Sequence, residues 1–397
     1  MSDYTCIDPG TPASTRPIAG PAPLVVWLSQ FPADVPACTL ALFHPEEQGA
    51  VMEGQMAGWL ASPPHEPPAL VAGGLASSQL VLLPVGPADF LARDHAARSV
   101  QMILGATRYA AQELGAHRLV LGSLTSSVTR NGVMVADYVD RHNAEHPSTP
   151  WPLKITTGNS GTLGVLRSFL AELLPGRDTV VAIVGLGNLG KGLLGLLVAR
   201  RQRRVLVFGR SQASLERALA GMPNTGTQVV ASPDVPGRLR EAHLVVTLTS
   251  SPSAVVHPEH LDAPTVVVDP SLPYAVVDDP GWRAGGHVVY THAGQLAMGA
   301  NLDVPSWRWA SRPGTLYSCL AEGAASAIAD GQKPGRERHH HVGEPDLAHA
   351  AWFEAQRAAL GWGHAPTCMF DQPVSVDEGR VVLARRLVDS PELAYKG

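Results

Sequence analysis

The stretch TVVAIVGLGNLGKGLLGLLVA, residues 179–199, decides the fold of this chain. Residues 179–184 are apolar and rich in valine, which is typical of a strand that is buried on both faces. A glycine-rich turn follows at residues 185–190, and a leucine-rich segment with the composition of a helix comes behind it. A strand that leads through such a turn directly into a helix predicts the first unit of a doubly wound, Rossmann-like α/β sheet.

Each glycine of the GLGNLG turn has its own physical role in a dinucleotide site. Gly185 allows the tight turn, Gly187 lets a pyrophosphate approach the backbone, and Gly190 lets the helix pack closely on the strand. The first residues of the helix, Asn188 and Leu189, add N–H groups and a partial positive charge. These five residues are therefore predicted to bind the cofactor, and the alternative is a glycine-rich turn with a structural role alone.

The end of the second strand indicates which nucleotide is bound. An NAD site usually has a carboxylate about 20 residues beyond the glycine turn, where it bonds the ribose 2′-hydroxyl. Here residues 204–208 lead to Arg210 and Ser211, which suit a 2′-phosphate, so the predicted cofactor is NADPH. In the alternative interpretation Arg210 is an exposed surface residue. Thr249 and Ser250 either line the nicotinamide side of the site or form an ordinary loop.

The alternation of short apolar runs with helical segments predicts an α/β fold with a largely parallel sheet. The predicted strands lie at residues 24–28, 79–85, 118–122, 179–184, 204–208, 228–231, 243–248, 264–269 and 286–290. The predicted parts are a disordered leader at 1–20, an N-terminal α/β substrate-binding domain at 21–150, a central NADP-binding Rossmann domain at 151–300 and a C-terminal helical region at 301–397. Other local predictions are a helix at 45–60, a linker at 142–152, a helix at 347–360 and a strand at 380–384.

Composition and charge exclude several classes of function. With 45% hydrophobic and 16% charged residues, the chain is able to bury a core and is not disordered as a whole. Its net charge of −5 offers no basic field for nucleic acid, and no apolar run is long enough for stable membrane insertion. The four cysteines are far apart, without CxxC spacing, and no apolar signal segment begins the chain. A cytoplasmic protein without a disulfide framework or metal site is therefore predicted, with residues 339–341, HHH, as a solvated connector.

Cys319 is the cysteine whose position deserves a chemical interpretation. Pro313 and Gly314 break the chain before it, and Thr315 is a candidate helix cap, so Cys319 is expected near the first turn of a helix. A helix N-terminus stabilises a thiolate and lowers the thiol pKa. Taken alone, a single cysteine on a helix is more often a buried residue that packs in the core than a nucleophile.

Six stretches of the sequence, taken together, favour the interpretation of Cys319 as a nucleophile over that of a buried packing residue. They are LGSLTSSVTRNG at 121–132, KITTGNSGT at 154–162, VAIVGLGNLGKG at 181–192, VLVFGRSQASLERA at 205–218, DAPTVVVDPSLP at 262–273 and LYSCLAEG at 316–323. In order and spacing this set resembles the long-chain acyl-(acyl-carrier-protein) reductase family. The TTGN stretch and the cysteine stretch are its more specific parts.

The resemblance implies an NADPH-dependent reductase that forms an aldehyde. In that family a cysteine takes the acyl group from an acyl-carrier protein or acyl-CoA thioester, and Cys319 matches this cysteine. By the same matching, Thr157 and Asn159 are candidates to stabilise the developing oxyanion, or else they only cap a helix. His292, just after the last predicted strand, is a candidate general acid, with a structural histidine as the alternative.

Other functions remain open at this level. One is an NADP-dependent dehydrogenase of a small carbonyl or amino-acid substrate, without covalent catalysis. Another is a non-enzymatic NADP-binding protein. A glutamyl-tRNA reductase-like role ranks lower, because a net charge of −5 offers little for a tRNA backbone.

Overall fold

The computed structural model describes ten stretches of the chain. They are residues 24–30, 77–83, 90–122, 124–222, 225–251, 253–271, 274–298, 314–332, 339–370 and 372–395. The predicted leader at residues 1–20 and the predicted helix at residues 45–60 lie outside them.

The N-terminal part of the molecule is a parallel sheet of four strands. The strands are β1 (Leu24–Gln30), β2 (Ser77–Leu83), β3 (Arg118–Leu121) and β4 (Lys154–Thr156), in the spatial order β2-β1-β3-β4. Among the described residues of this part, three helices accompany them: α1 (Ala96–Gln112), α2 (Leu124–Val128) and α3 (Val133–Glu145). Because β4 pairs with β3, this sheet extends beyond residue 150, where the sequence places a domain boundary.

The predicted linker at residues 142–152 is wrong in its first part, since α3 continues to Glu145. The turn behind α3 is tied back onto the helix. The Asn143 side chain accepts from the Trp151 N–H at 2.6 Å and donates to the Trp151 carbonyl at 3.1 Å. The Trp151 ring stacks on His142 with a centroid distance of 3.7 Å. These contacts order a polar stretch whose composition alone indicates a loop.

The central part is a parallel sheet of six strands, which confirms the predicted Rossmann-like fold. Its strands are β5 (Val181–Val184), β6 (Arg204–Phe208), β7 (Gln228–Ser232), β8 (Leu244–Thr247), β9 (Val266–Val268) and β10 (Val288–Tyr290). Their spatial order is β10-β9-β8-β5-β6-β7, so the strand order reverses between β5 and β8. Ligands of open α/β sheets bind in the crevice at such a switch point.

Helices flank this sheet and complete its core. They are α4 (Asn159–Leu173), α5 (Asn188–Ala199), α6 (Gln212–Leu219), and the single turns α7 (Val235–Arg238) and α8 (Gly281–Ala284). The leucines of α4 that recur at helical spacing are buried in the same cluster as β5 and β8. Ser211 caps α6, as its position in the sequence predicts, by accepting from the Ser214 N–H at 3.3 Å.

The C-terminal part combines helices with short strands. The helices are α9 (Ser318–Gln332), α10 (Leu347–Ala359) and α11 (Val376–Asp389). The strands are β11 (Gln295–Ala297), β12 (Thr315–Tyr317), β13 (Gly363–His364), β14 (Cys368–Met369) and β15 (Gln372–Pro373). Strand β11 pairs antiparallel with both β12 and β13.

Two local predictions in this part are wrong. The predicted strand at residues 380–384 lies inside α11, because Ser375 and Glu378 form a capping box that starts a helix before the apolar run is reached. Thr315 is not a helix cap, because it belongs to β12, whose residues pair with β11. The helix after it begins at Ser318.

Among the described helices, none combines the length and the apolar character that crossing a membrane requires. Within the same residues there is also no group of three or more His, Cys, Asp or Glu side chains placed to hold a metal ion.

A buried histidine makes the fold sensitive to acid. The His243 ring lies at the entry to β8, fully buried, and its Nδ1 accepts from the Val180 N–H at 3.1 Å. Burial, with help from the Arg386 charge, lowers the pKa of His243 from 6.5 to about 4. The unfolded chain therefore binds this proton more readily than the folded chain, and stability is lost as the pH falls from about 6.5 to about 4.

We expect this loss to reach about 3 kcal/mol across that window. The measurement is the midpoint of urea unfolding at pH 7.5, 6, 5 and 4. His243→Asn, whose side-chain oxygen also accepts from Val180 but does not titrate, is expected to flatten the dependence. An identical slope for the variant and the unaltered protein would contradict the assignment to His243.

Candidate functional site

A cavity of about 320 Å³ lies at the switch point of the central sheet. Its walls come from the loops that follow β5 and β8, from the start of α9 and from the N-terminal part of the chain. It is lined by Gly122, Leu124, Ser126, Ser127, Asn131, Thr157, Asn159, Thr162, Gly187, Asn188, Leu189, Leu248, Thr249, Ser250, Pro270, Ser271, Gly294, Tyr317, Ser318, Cys319 and Leu320. Most of the polar lining consists of hydroxyl and amide groups, and none of these side chains carries a formal charge.

The glycine-rich turn has the geometry that a dinucleotide needs. Gly185 has a φ of +106°, and a side chain there would meet the Leu248 carbonyl oxygen at 2.5 Å. A Cβ at Gly190 would collide with the Gly185 carbonyl oxygen, so helix and strand pack as closely as predicted. At Gly187, by contrast, a Cβ would meet nothing within 4 Å. This open backbone at the N-terminus of α5 fits the pyrophosphate of a nicotinamide dinucleotide.

Gly190→Ala is expected to weaken dinucleotide binding by at least about tenfold and to destabilise the fold by about 1–3 kcal/mol, since the added methyl group overpacks the turn. Gly195→Ala, in the same helix, is the control, because a Cβ at Gly195 meets nothing within 4 Å. That control is expected to bind NADPH normally and to gain up to about 1 kcal/mol of stability. NADPH titration by fluorescence and thermal unfolding measure both effects. Equal behaviour of the two variants would contradict the packing role of Gly190.

The other predicted cofactor residues lie around this turn. Asn188 and Leu189 form the first turn of α5 and line the cavity. Thr249 and Ser250 line it from the loop after β8. Arg210 and Ser211 lie outside the cavity lining; both are exposed, directly after β6, at the same edge of the sheet. The structure thus brings all but Arg210 and Ser211 to the cavity or to its glycine turn.

Cys319 faces the same cavity as the glycine turn. It is the second residue of α9, partly buried, and it is not in a disulfide. Strand β12 leads directly into the start of α9, and two hydrogen bonds fix Ser318, the residue before Cys319. The Ser318 N–H donates to the Gly294 carbonyl at 2.8 Å, and the Ser318 hydroxyl donates to Thr162 at 3.1 Å. The predicted position in the first turn of a helix is therefore confirmed, although the helix starts later than Thr315.

The TTGN turn packs directly against Cys319. Gly158 has a φ of +67°, and a Cβ there would overlap the Cα, the carbonyl oxygen and the Cβ of Cys319. Thr157, which is buried, and Asn159, which is partly buried, line the cavity beside it. Gly158, the N-cap residue of α4, has no side chain with which to cap the helix. The start of α4 therefore packs against Cys319 in the first turn of α9, and helix N-termini favour a thiolate.

A buried carboxylate that sequence reasoning missed joins these two helices. Glu322, one turn after Cys319 on α9, accepts from the Thr156 hydroxyl at 2.6 Å and from the Gly161 N–H of α4. Its Oε1 also lies 3.4 Å from Nε2 of His349 on α10. Burial alone raises the pKa of Glu322, but the neighbouring His349 and the hydrogen bonds from Thr156 and Gly161 outweigh it and hold the pKa below its usual value. In the sequence, the one signal that Glu322 belongs to the site is its position three residues after Cys319.

The histidine-rich segment is not the solvated connector that its composition predicts. His341 forms a bridge with Thr156: its N–H donates to Ile155 at 2.8 Å, and its carbonyl accepts from the Thr157 N–H at 3.1 Å. His340 Nδ1 accepts from the Ile155 N–H at 2.9 Å. Backbone pairing along β4 explains the difference, and only His339 is exposed.

His292 does not line the cavity. It is partly buried behind the wall, where its ring is 3.2 Å from the Tyr274 hydroxyl and 2.9 Å from Nε2 of Gln295. These contacts separate His292 from a reacting group in the cavity, so a direct role as general acid does not fit the geometry. Tyr274 and its neighbour Tyr317, which connect His292 to the cavity, are further residues that the sequence did not single out.

Residues 171–280, a little over a quarter of the chain, match the family model described as shikimate/quinate 5-dehydrogenase. A search of curated proteins gave no match. Among solved structures, quinate dehydrogenase from Corynebacterium glutamicum in complex with NAD is 13% identical, with 85% of this chain and 99% of that chain covered and a TM-score of 0.36. L-tryptophan dehydrogenase from Nostoc punctiforme is 12% identical, with 93% and 89% covered and a TM-score of 0.33.

A shorter match, to CmnK, is 19% identical, and this chain spans only 38% of the length of that protein. It covers 31% of this chain with a TM-score of 0.26. None of these comparisons is specific for acyl-(acyl-carrier-protein) reductases. Together, the six-stranded sheet, the glycine turn and the family match give the central domain the fold and the nicotinamide site of Rossmann-type NAD(P)-dependent oxidoreductases.

Proposed function

We propose that this protein is an NADPH-dependent reductase that converts an acyl thioester, carried by acyl-carrier protein or CoA, into an aldehyde through an acyl group on Cys319. One observation carries the proposal. The Cys319 thiol lies at the start of α9 in the same cavity as Gly187 and the first turn of α5. A nucleophile and the open backbone of a dinucleotide turn therefore face one space.

Cys319 performs the covalent step in this proposal. Its thiolate, favoured by the ends of α4 and α9, attacks the thioester carbonyl, and the carrier leaves as a thiol. The acyl group then stays in the cavity as a second thioester on Sγ. When bound, the reduced cofactor supplies a hydride to that carbonyl carbon.

The start of α4 provides polar groups for the carbonyl oxygen. Thr157 and Asn159 lie at this helix start and line the cavity together with Cys319. A hydroxyl and an amide at such a helix start are able to donate to an oxyanion as charge develops. Their assignment as oxyanion groups remains a proposal, and helix capping alone is the alternative.

The preference for NADPH over NADH is proposed from Arg210 and Ser211. Arg210→Ala is expected to raise the dissociation constant of NADPH about tenfold and to leave that of NADH within twofold, since only NADPH carries the 2′-phosphate. Arg217→Ala, in the last turn of α6 and thus at the opposite end of that helix, is the control. Fluorescence titration with both cofactors measures the ratio. An equal loss for both cofactors would contradict the assignment.

The covalent proposal is tested with wild-type protein and three probes, acetyl-, octanoyl- and palmitoyl-CoA. In the absence of NADPH, intact-mass spectrometry is expected to show one added acyl group, and peptide mapping is expected to place it on Cys319. Addition of NADPH is expected to remove the group and release an aldehyde, which a hydrazine reagent traps. No adduct and no NADPH oxidation with any probe or with the matching acyl-carrier proteins would refute the proposal.

A second candidate is a dehydrogenase of a small carbonyl or amino-acid substrate, without a covalent intermediate. The match of residues 171–280 to a dehydrogenase family model favours it over the thioester reductase. The small cavity with its hydroxyl and amide lining also suits a compact polar substrate. Reduction of 2-oxo acids, with or without ammonium, by both the wild type and Cys319→Ala would support this candidate.

A further inference from the structure

Tyr317 is a second reactive side chain in the wall that carries Cys319. It ends β12, two residues before Cys319, and lines the cavity together with that cysteine and Gly294. The pairing of β12 with β11 places Tyr317 opposite Gln295. The position of this phenol is therefore set by a strand register rather than by a mobile loop.

A cluster of polar side chains leads from Tyr317 to His292. Gln295 and Tyr274 are the polar neighbours that act on the Tyr317 phenol. The Tyr274 hydroxyl in turn lies 3.2 Å from the His292 ring.

Both polar atoms of the Gln295 side chain have hydrogen-bond partners. Its Oε1 accepts from the Thr315 hydroxyl at 3.1 Å, and Nε2 reaches His292 at 2.9 Å. Tyr317 itself lines the cavity, so its phenolic hydroxyl is able to reach a carbonyl oxygen bound there.

The two phenols also keep their protons at neutral pH. Burial raises the pKa of Tyr317 well above its usual value, and the nearby Cys319 raises it further. Burial likewise raises the pKa of Tyr274. Tyr317 is thus a neutral, partly buried hydroxyl group two residues from the Cys319 thiol.

We propose that Tyr317 is a catalytic residue that donates its phenolic proton to the carbonyl oxygen being reduced, with Tyr274 and His292 as the positioning residues behind it. The inference rests on the cavity of the proposed function. It applies to either candidate in which a C=O group is reduced, because hydride addition to the carbonyl carbon of an acyl-enzyme or of a 2-oxo acid requires a proton for the oxygen.

With a thioester substrate, reduction adds a hydride and a proton to the carbonyl of the acyl group on Cys319. The carbonyl carbon gains a hydride from the reduced cofactor, and the carbonyl oxygen gains the proton of Tyr317, which gives a hemithioacetal on Cys319. The C–S bond then breaks, the electron pair leaves with Sγ, and the hydroxyl proton returns to the Tyr317 oxygen. The aldehyde is released, and one proton from solvent restores the thiol.

The experiment separates acyl transfer from reduction in Tyr317→Phe. Octanoyl-CoA loads Cys319 in the absence of NADPH, and a single turnover then starts with NADPH. The reduction rate is expected to fall by at least about 100-fold, the range for loss of a general acid. The rate of acyl loading and the dissociation constant of NADPH are expected to stay within about threefold of the wild type.

Two further variants test the arrangement. Tyr274→Phe is expected to slow reduction less than Tyr317→Phe and to change the solvent deuterium isotope effect on that step, which a purely structural role would not alter. Tyr290→Phe is the matched control. Its hydroxyl donates to the Ser375 carbonyl at 2.8 Å, and Tyr290 does not line the cavity, so its reduction rate is expected to match the wild type.

The outcomes distinguish this inference from the proposed function. An adduct on Cys319 with normal reduction by Tyr317→Phe would overturn the role of Tyr317 and leave the thioester reductase standing. No adduct in the wild type, but reduction of a 2-oxo acid, would remove the thioester reductase. The 100-fold criterion would then be applied to Tyr317→Phe on that 2-oxo acid. A wild type that reduces neither class of carbonyl would overturn both proposals.

Discussion

Cys319→Ala is expected to abolish acyl-CoA-dependent aldehyde formation, with a loss of at least about 1,000-fold, because no other group takes over a covalent nucleophile. The mass shift seen with acyl-CoA is expected to vanish as well. NADPH binding is expected to persist, because the glycine turn does not depend on the thiol. Aldehyde release, intact mass and NADPH titration on one preparation measure all three effects.

Cys368→Ala is the matched control for this variant. Cys368 is buried in β14, outside the cavity lining, where its carbonyl accepts from the Thr291 N–H at 3.0 Å. Its replacement is expected to leave loading and reduction within about twofold of the wild type and to cost about 1 kcal/mol of stability. Undiminished reduction of a small carbonyl substrate by Cys319→Ala would instead favour the noncovalent dehydrogenase.

Gly158→Ala is expected to disrupt the packing of the TTGN turn on α9. The added Cβ would overlap three backbone or side-chain atoms of Cys319, and the φ of +67° is unfavourable for alanine. Since backbone atoms cannot move aside without shifting α9, we expect a loss of about 3–5 kcal/mol, or failure to fold. Where the variant folds, Cys319 is expected to lose its reactivity toward acyl-CoA.

Gly115→Ala separates the two causes of this effect. Gly115 has a similar φ of +62°, but a Cβ there would meet nothing within 4 Å. Its substitution therefore reports the backbone strain alone, which we expect to cost about 1 kcal/mol. Urea unfolding of both variants gives the difference that belongs to the contact with Cys319. Equal losses at the two positions would contradict the close packing of the TTGN turn on α9.

Much of the central fold could be predicted from local patterns. The valine-rich runs of β5, β8 and β9 are apolar along their whole length, because the helices cover both faces of a parallel sheet. The glycines at 185, 187 and 190 could be assigned separate roles, because each role depends on a short-range steric requirement. Ser211 could be assigned as a helix cap for the same reason.

The errors arose where a local signal was missed or where distant contacts override local preference. The apolar run inside α11 has β-branched residues, yet the capping box at Ser375 and the packing of Leu383 in the core make it helical. Threonine is a residue type that often caps helices, but the pairing of Thr315 with Ala297 makes it a strand residue. His341 lies in a polar stretch, and its pairing with Thr156 could not be foreseen from that composition.

The sequence by itself determined the doubly wound sheet, the dinucleotide turn and the presence of a cysteine at the start of a helix, because these features depend on residues within one or two turns of each other. Only the tertiary structure decided that Cys319 shares a cavity with Gly187, that Gly158 packs on Cys319, and that Tyr317 connects that cavity to His292. The physical reason is that these contacts join residues that are far apart in the chain, through strand register and close packing, which leave no periodic pattern in the sequence.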